Sequence, residues 1–213
     1  MSMKYPDMEE RIEEVHKQFA EFNLLVAAEE WLKIWSEIKE IIKEEEIENP
    51  FELDDLFDWN MFAYNLIQDM EELLRHAGYN DKRFWRERIA YCQDILTVFT
   101  WEDKNELIWG NMRATIADTH FLLGEKEKSD ALFREYLAED PNWVWGYIYW
   151  ARLYLGDRHQ PGTDVEFAAE IMKMLPPDAM PDITDDDPDL LPMFLEAKEE
   201  ILSELRAINN ELI

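Results

Sequence analysis

Histidine, cysteine and clustered carboxylate are the residues of this chain that could do chemistry, and their spacing limits what that chemistry could be. His16, His76, His120 and His159 fall on different predicted helices or turns, and none has a second His or Cys at the interval zinc ligation needs. Cys92 shares a helical face with Ile89, Ile95 and Leu96, which reads as a small buried residue rather than a nucleophile. As the single cysteine it allows no internal disulfide, and a reducing, cytoplasmic home is expected. Asp182, Asp185, Asp186, Asp187 and Asp189 crowd enough oxygens into one stretch to suggest Ca²⁺ or Mg²⁺, but the turn glycine and closing glutamate of a calcium loop are missing. Charge stabilisation of the helix that follows is the alternative for these aspartates. Acid pairs such as Glu71-Glu72 and Glu199-Glu200 read as solvated helix faces. No glycine-rich phosphate loop, nucleophile elbow or zinc helix motif occurs. The expectation is a protein that is not an enzyme, with no catalytic residue, metal or cofactor.

Charge narrows the partners. The 49 acids against 21 bases give a formal charge of −28, which opposes direct nucleic-acid binding because phosphate affinity rests on cationic neutralisation. Lys82, Arg83, Arg86 and Arg88 form the sole concentration of positive charge, interleaved with Phe84 and Trp85. Two readings stand for them, a surface ion-paired with neighbouring acids and an anion site. The acids from Asp7 onward are unlike a secretory leader, and no apolar run approaches membrane-spanning length, so neither export nor insertion is expected.

The elements that must position these residues are helices. Hydrophobic residues make up 47% of the 213, including nine Trp, eight Tyr and eleven Phe, so the acid sits on a folded body with a continuous core. Six glycines and no run of alternating β-branched residues set the fold class as all-α. Ile12, Val15, Phe19 and Phe22 mark a first helix over 8–22, and Trp31, Ile34, Trp35, Ile38, Ile41 and Ile42 a second over 27–46. A third starts at an Asp58 cap, buries Phe62, Leu66, Met70, Leu73 and Leu74, and stops at Gly78. A fourth over 81–99 follows a loop so short that the two must be antiparallel neighbours. Asp103 and Glu106 cap a helix through Ile108, Met112, Ile116 and Phe121 that breaks at Gly124. Its partner carries Ala131, Leu132, Phe133 and Leu137 to Asp140-Pro141. A further pair runs from Trp145 to Leu155 and from Thr163 to Met174, with Thr163 and Glu166 spaced as a capping box. Residues 176–189, with four prolines and six aspartates, read as an extended loop. A last helix over 190–213, with Leu191, Phe194, Leu195, Ile201, Leu202, Leu205 and Ile208 on one side, closes the stack. The whole is read as one helical domain: N-terminal helices over 1–50, hairpins over 51–175, the loop and the final helix.

From Gly110 to Trp143 the chain resembles a tetratricopeptide repeat, a pattern of about 34 residues. Ile116 takes its Leu position, Ala117 the small Gly position, His120 the Tyr position, Phe133 the Phe position and Pro141 the terminal proline, with Gly124 at the turn. Arg113 replaces the Trp and Ser129 the Ala. Stepping on by one period puts Ala151 and Tyr154 at the small and aromatic positions of a degenerate repeat. The stretch from Asp140 to Tyr147 is also similar to bacterial tetratricopeptide-like proteins that carry a zinc-binding SEC-C motif, whose cysteines this chain lacks.

The resemblance implies a short α-solenoid whose first helices face a concave surface. Asn111, Thr115, Asp118, Trp145, Tyr149 and Arg152 are the positions it turns there, a groove of aromatic anchors with polar neighbours. Two alternatives stand for Trp145 and Tyr149: gripping a partner, or packing against the acidic loop or the final helix. The function expected is a non-catalytic interaction module for a protein with a basic segment. The rival is an acidic mimic that occupies the basic site of a nucleic-acid-handling protein, favoured if carboxylates line one exposed face and disfavoured if they are scattered.

Overall fold

The computed structural model describes residues 5–56, 62–101, 107–155, 164–180 and 190–211. Every regular element among them is helical: α1 (Pro6–Ala20), α2 (Leu24–Glu44), a 3-10 turn (Pro50–Glu52), α3 (Leu53–Leu56), α4 (Ala63–Asn80), α5 (Arg83–Val98), α6 (Leu107–Leu122), α7 (Lys126–Glu139), α8 (Val144–Leu155), α9 (Val165–Met174) and α10 (Leu190–Glu211). The fold is all-α, with consecutive helices packed on one another. The sequence reading takes the chain as one domain, whereas it packs as two compact units, Met1–Met112 and Arg113–Ile213, with the border inside α6.

In the first unit α1 packs on α2, α2 on α4 and α5, and α4 on α5. The α2 stripe is buried throughout, and Trp31, Trp35 and Tyr91 meet as an aromatic cluster, with Trp35 and Tyr91 edge-to-face at 5.0 Å. Arg11 ties α1 to α2 through Glu30 and Glu37, and Lys39 with the Trp35 indole ties α2 to Asp94 of α5. Two helix ends close the same way. Phe22 N–H donates to the Phe19 carbonyl and Asn23 N–H to that of Gln18 after α1, and Ile47 N–H donates to the Ile42 carbonyl after α2. These are left-handed closures, with φ of 62° at Phe22 and 55° at Glu46. The reversal turns Phe22 out of the stripe the sequence assigns it, so it is exposed, not buried.

Two further differences have local causes. Gly78 does not end α4, which runs on to Asn80; it lies inside the helix because the Trp85 indole occupies the space a side chain would fill. Phe62 precedes the first turn of α4 and is exposed, while the Asp54 carboxylate accepts from Ala63 N–H at 2.7 Å. Asp58, Asp103, Glu106 and Thr163, expected caps, lie outside the described residues, and α9 is capped by Asp164, which accepts from Phe167 N–H at 3.0 Å.

In the second unit α7 packs on α8, α8 on α9, and α10 lies over both. Its core joins Ala117, Phe121, Phe133, Ile148, Trp150 and Phe194. Asp130 of α7 accepts from Trp150 Nε1 at 2.7 Å and from the Tyr154 hydroxyl at 2.8 Å, which fixes α8 against α7. Burial, with that bond, holds the Tyr154 phenol well above its ordinary range. Ala131 is exposed, because Ser129, Phe133 and Leu137 form the inner face of α7. Leu195, expected inward on α10, is also exposed; Phe194, Ala197, Ile201 and Leu205 are the residues that turn in.

Candidate functional site

The six residues of the expected groove meet different surroundings. Asn111 belongs to the first unit, where its side-chain amide donates to Gln68 of α4 at 2.8 Å. Thr115 is buried on α6, its carbonyl accepting from the Thr119 hydroxyl at 2.6 Å, and Asp118 is half-buried one turn on. Trp145 and Tyr149 stand one turn apart on α8 and stack with centroids 6.0 Å apart. Phe194 of α10 meets the Trp145 ring edge-on at 5.9 Å. Arg152, one turn further, pairs with Glu200 of α10 at 2.8 Å. Trp145 and Arg152 thus lie against the final helix, with Tyr149 stacked on Trp145. They hold it by the chemistry a groove would use on a partner helix, an aromatic seat beside a charge pair.

Each of His76 and His120 meets a single carboxylate, Glu72 and Glu125 respectively. Among the described residues no group of three or more His, Cys, Asp or Glu could hold a metal ion. His16 packs at the α1 face toward Asp69 with a buried, unpaired Nε2, and burial lowers its pKa. His76 pairs with Glu72 at 3.0 Å and contacts the Phe19 ring. Cys92 is fully buried. His159 and the aspartates from Asp182 to Asp189 lie outside the described residues. The basic stretch divides: Arg83 pairs with Glu29 and Asp81, Lys82 sits over the Trp85 ring, Arg86 is exposed, and Arg88 is buried beside Glu71 at 2.7 Å.

His120 carries a pH effect. Its Nδ1 lies 2.7 Å from the Glu125 carboxylate, and burial lowers its pKa below the ordinary 6.5, opposed by the Glu125 bond and aided by Lys128. A histidine depressed in the folded state binds its proton more readily unfolded. Its contribution to stability is therefore complete above 6.5 and lost as pH falls through that value. Between about pH 7.5 and about pH 5.5 the urea midpoint should fall further for the parent than for His120→Asn, which keeps a donor near the Nδ1 position without the titration. Equal falls would remove His120 from the account.

One surface escaped the sequence reading. Val15 and Gln18 of α1 and Leu25, Val26 and Ala27 of α2 line an open groove of about 480 Å³, with Glu14, Glu29, Glu30 and Lys33 around it. Phe22 lies at the α1–α2 turn, in the chain between Gln18 and Leu25 of the lining, and is not itself part of that lining. The groove's signal in the sequence was the adjacency of Phe22, Leu25 and Val26 across a turn, of which the helical spacing assigns Phe22 to the core and leaves Leu25 and Val26 unassigned.

Comparison with protein-family profiles, curated proteins and solved structures gave no match to this chain. No helix among the described residues is long and apolar enough to cross a membrane.

Proposed function

We propose that the chain is a non-catalytic interaction module of the tetratricopeptide-like kind, which presents a carboxylate-rich surface to a protein with a basic segment. The likeness to the repeat is supported by burial: Arg113, Ile116, Ala117, His120, Ser129 and Phe133, the positions the pattern uses between helices, are all buried. Gly124 at the turn takes φ of 86°, as a left-handed helix end requires. A reducing, cytoplasmic setting suits the buried free thiol of Cys92.

The observation that carries the reading is the layout of acids. Exposed carboxylates occur on α1 (Glu10, Glu13), α2 (Glu40, Glu44), α7 (Glu135, Glu139), α9 (Glu166, Glu170) and α10 (Glu199, Glu200). Among these Glu139, Glu199 and Glu200 pair with Arg113, Arg206 and Arg152, and Glu30 and Glu37 are likewise tied to Arg11. A scatter over helices of both units favours a general electrostatic attraction for basic partners over the ordered rows that mimicry of a nucleic-acid backbone demands.

Affinity capture with the full chain at low salt, eluted by rising salt and read by mass spectrometry, tests this. The expected result is a basic protein recovered in stoichiometric amount and released by salt. Recovery only of acidic proteins, or turnover of a small substrate, overturns it.

A further inference from the structure

The geometry points to the α1–α2 turn as a docking site for a basic amphipathic segment of a partner protein, a surface that rests on the interaction-module reading and gives it a place. Three independent observations meet there. The first is the open groove between the helices, with an apolar floor of Val15, Leu25, Val26 and Ala27. The second is Phe22, which is 84% exposed, beside Val26 at 63% and Leu25 at 43%. Large apolar side chains gathered at one turn and left in water mark a contact surface more often than a bare solvent face.

Phe22 bears two costs at once. It holds φ of 62°, a left-handed conformation that glycine adopts freely and a phenylalanine only under strain. The turn does not need its side chain, because closure is completed by polar neighbours: Asn23 donates its side-chain amide to Gln18 at 2.8 Å. The equivalent turn after α2 shows the contrast, since there Ile47 packs down, buried beside Ile42, and the left-handed residue is a solvated Glu46. Strain together with exposure of an aromatic ring, at a position where glycine would serve the fold better, is the pattern of a residue retained for contact.

The third observation is charge, and it selects the occupant. The groove's lining holds Glu14, Glu29 and Glu30 against Lys33, and from Glu9 to Lys33 the chain carries seven acids and three bases. Hydrogen bonds from Gln18 and then Lys17 lower the pKa of Glu14, and those from Lys33 and then Arg11 lower that of Glu30. A second copy of this chain, at −28, and an anionic lipid surface would both be repelled. A helix with apolar residues on one side and lysine or arginine on the other satisfies both floor and rim.

The test titrates the full chain, at low salt, with three designed peptides: leucine with lysine, leucine with glutamate, and serine with lysine at the same charge. One leucine–lysine peptide should bind per chain. Phe22→Gly should weaken it roughly tenfold while raising the thermal midpoint by a few degrees, since glycine relieves the turn. Glu14→Lys should weaken it as well, and the serine–lysine peptide should not distinguish Phe22→Gly from the parent. If the leucine–lysine peptide binds Phe22→Gly as tightly as the parent, this site is overturned although the module reading stands. Self-association of the parent that Phe22→Gly abolishes would overturn the proposal in favour of a second copy. Failure of the salt-released capture described above, with peptide binding intact, would sink the module reading and leave the groove as a peptide site of another kind.

Discussion

Gly78→Ala should destabilise the protein by about 1–3 kcal/mol, although in an exposed helix interior the same change stabilises by about 1 kcal/mol. Two effects oppose each other at this position, and distance decides between them. A Cβ built on Gly78 would lie 1.9 Å from Cδ1 and 2.1 Å from Nε1 of Trp85, far inside contact distance. The indole cannot simply yield, because its Nε1 donates to the Arg75 carbonyl at 3.1 Å and Tyr79 meets its face edge-on at 5.3 Å. Displacing the ring takes the indole N–H from its acceptor and disturbs the α4–α5 contact. Removing the ring should reverse the sign: in a Trp85→Ala background Gly78→Ala should become stabilising by about 1 kcal/mol. Urea midpoints of the four proteins give the answer, and a Gly78→Ala that costs the same in both backgrounds defeats the steric account. Gly124 makes the comparison clean. It has open space around a missing Cβ, so alanine there meets only the left-handed backbone, at about 1 kcal/mol.

These glycines also show why helix existence was legible in the sequence and helix ends were not. The stripe of α2 recurs at three and four residues and lies buried along its length, while on α5 Phe84, Cys92 and Ile95 are buried and Ile89 and Leu96 half-buried, because burial of a continuous face is what the spacing encodes. Ends are encoded by single residues whose signals overlap. Gly78 carried the mark of a left-handed stop and instead serves a close side-chain approach. Phe22 and Glu46 took the left-handed position without being glycine, so the reading extended α1 and α2 through residues that lie beyond their caps. An αL residue rotates its side chain off the helical face, which is why the error at Phe22 was also an error about burial.

For Trp145 and Tyr149 the spacing left two alternatives open, a partner on one side and the acidic loop or final helix on the other, and could not choose between them. Trp145, Tyr149 and Arg152 stand at intervals of three and four residues along α8. What covers that face is α10, dozens of residues further along the chain, and no local periodicity reports a contact of that range. Nor did spacing alone separate Arg88 from its basic neighbours, although the information was present: positions 84, 88, 91, 92 and 95 form one stripe, with Arg88 in its middle. A charge on an apolar stripe announces a buried partner.

That partner makes Arg88→Ala the most costly single change to expect, at about 3–5 kcal/mol. The guanidinium Nε donates to the Glu71 carboxylate at 2.7 Å with the two side chains 3% and 15% exposed, so water is nearly excluded from the pair. Truncation at Arg88 leaves the Glu71 carboxylate in that setting without its counter-charge and deletes the packing of a long side chain between α4 and α5. The Coulomb attraction itself is not the main quantity at stake, because both ions gave up hydration to form it. Replacing both partners by apolar residues, Arg88→Met with Glu71→Leu, should therefore be far milder than Arg88→Ala alone, and the double-mutant cycle should show strong non-additivity. If the double variant is as unstable as the single one, the cost resides in lost packing or in the other contacts of these side chains, and the stranded carboxylate is not its cause.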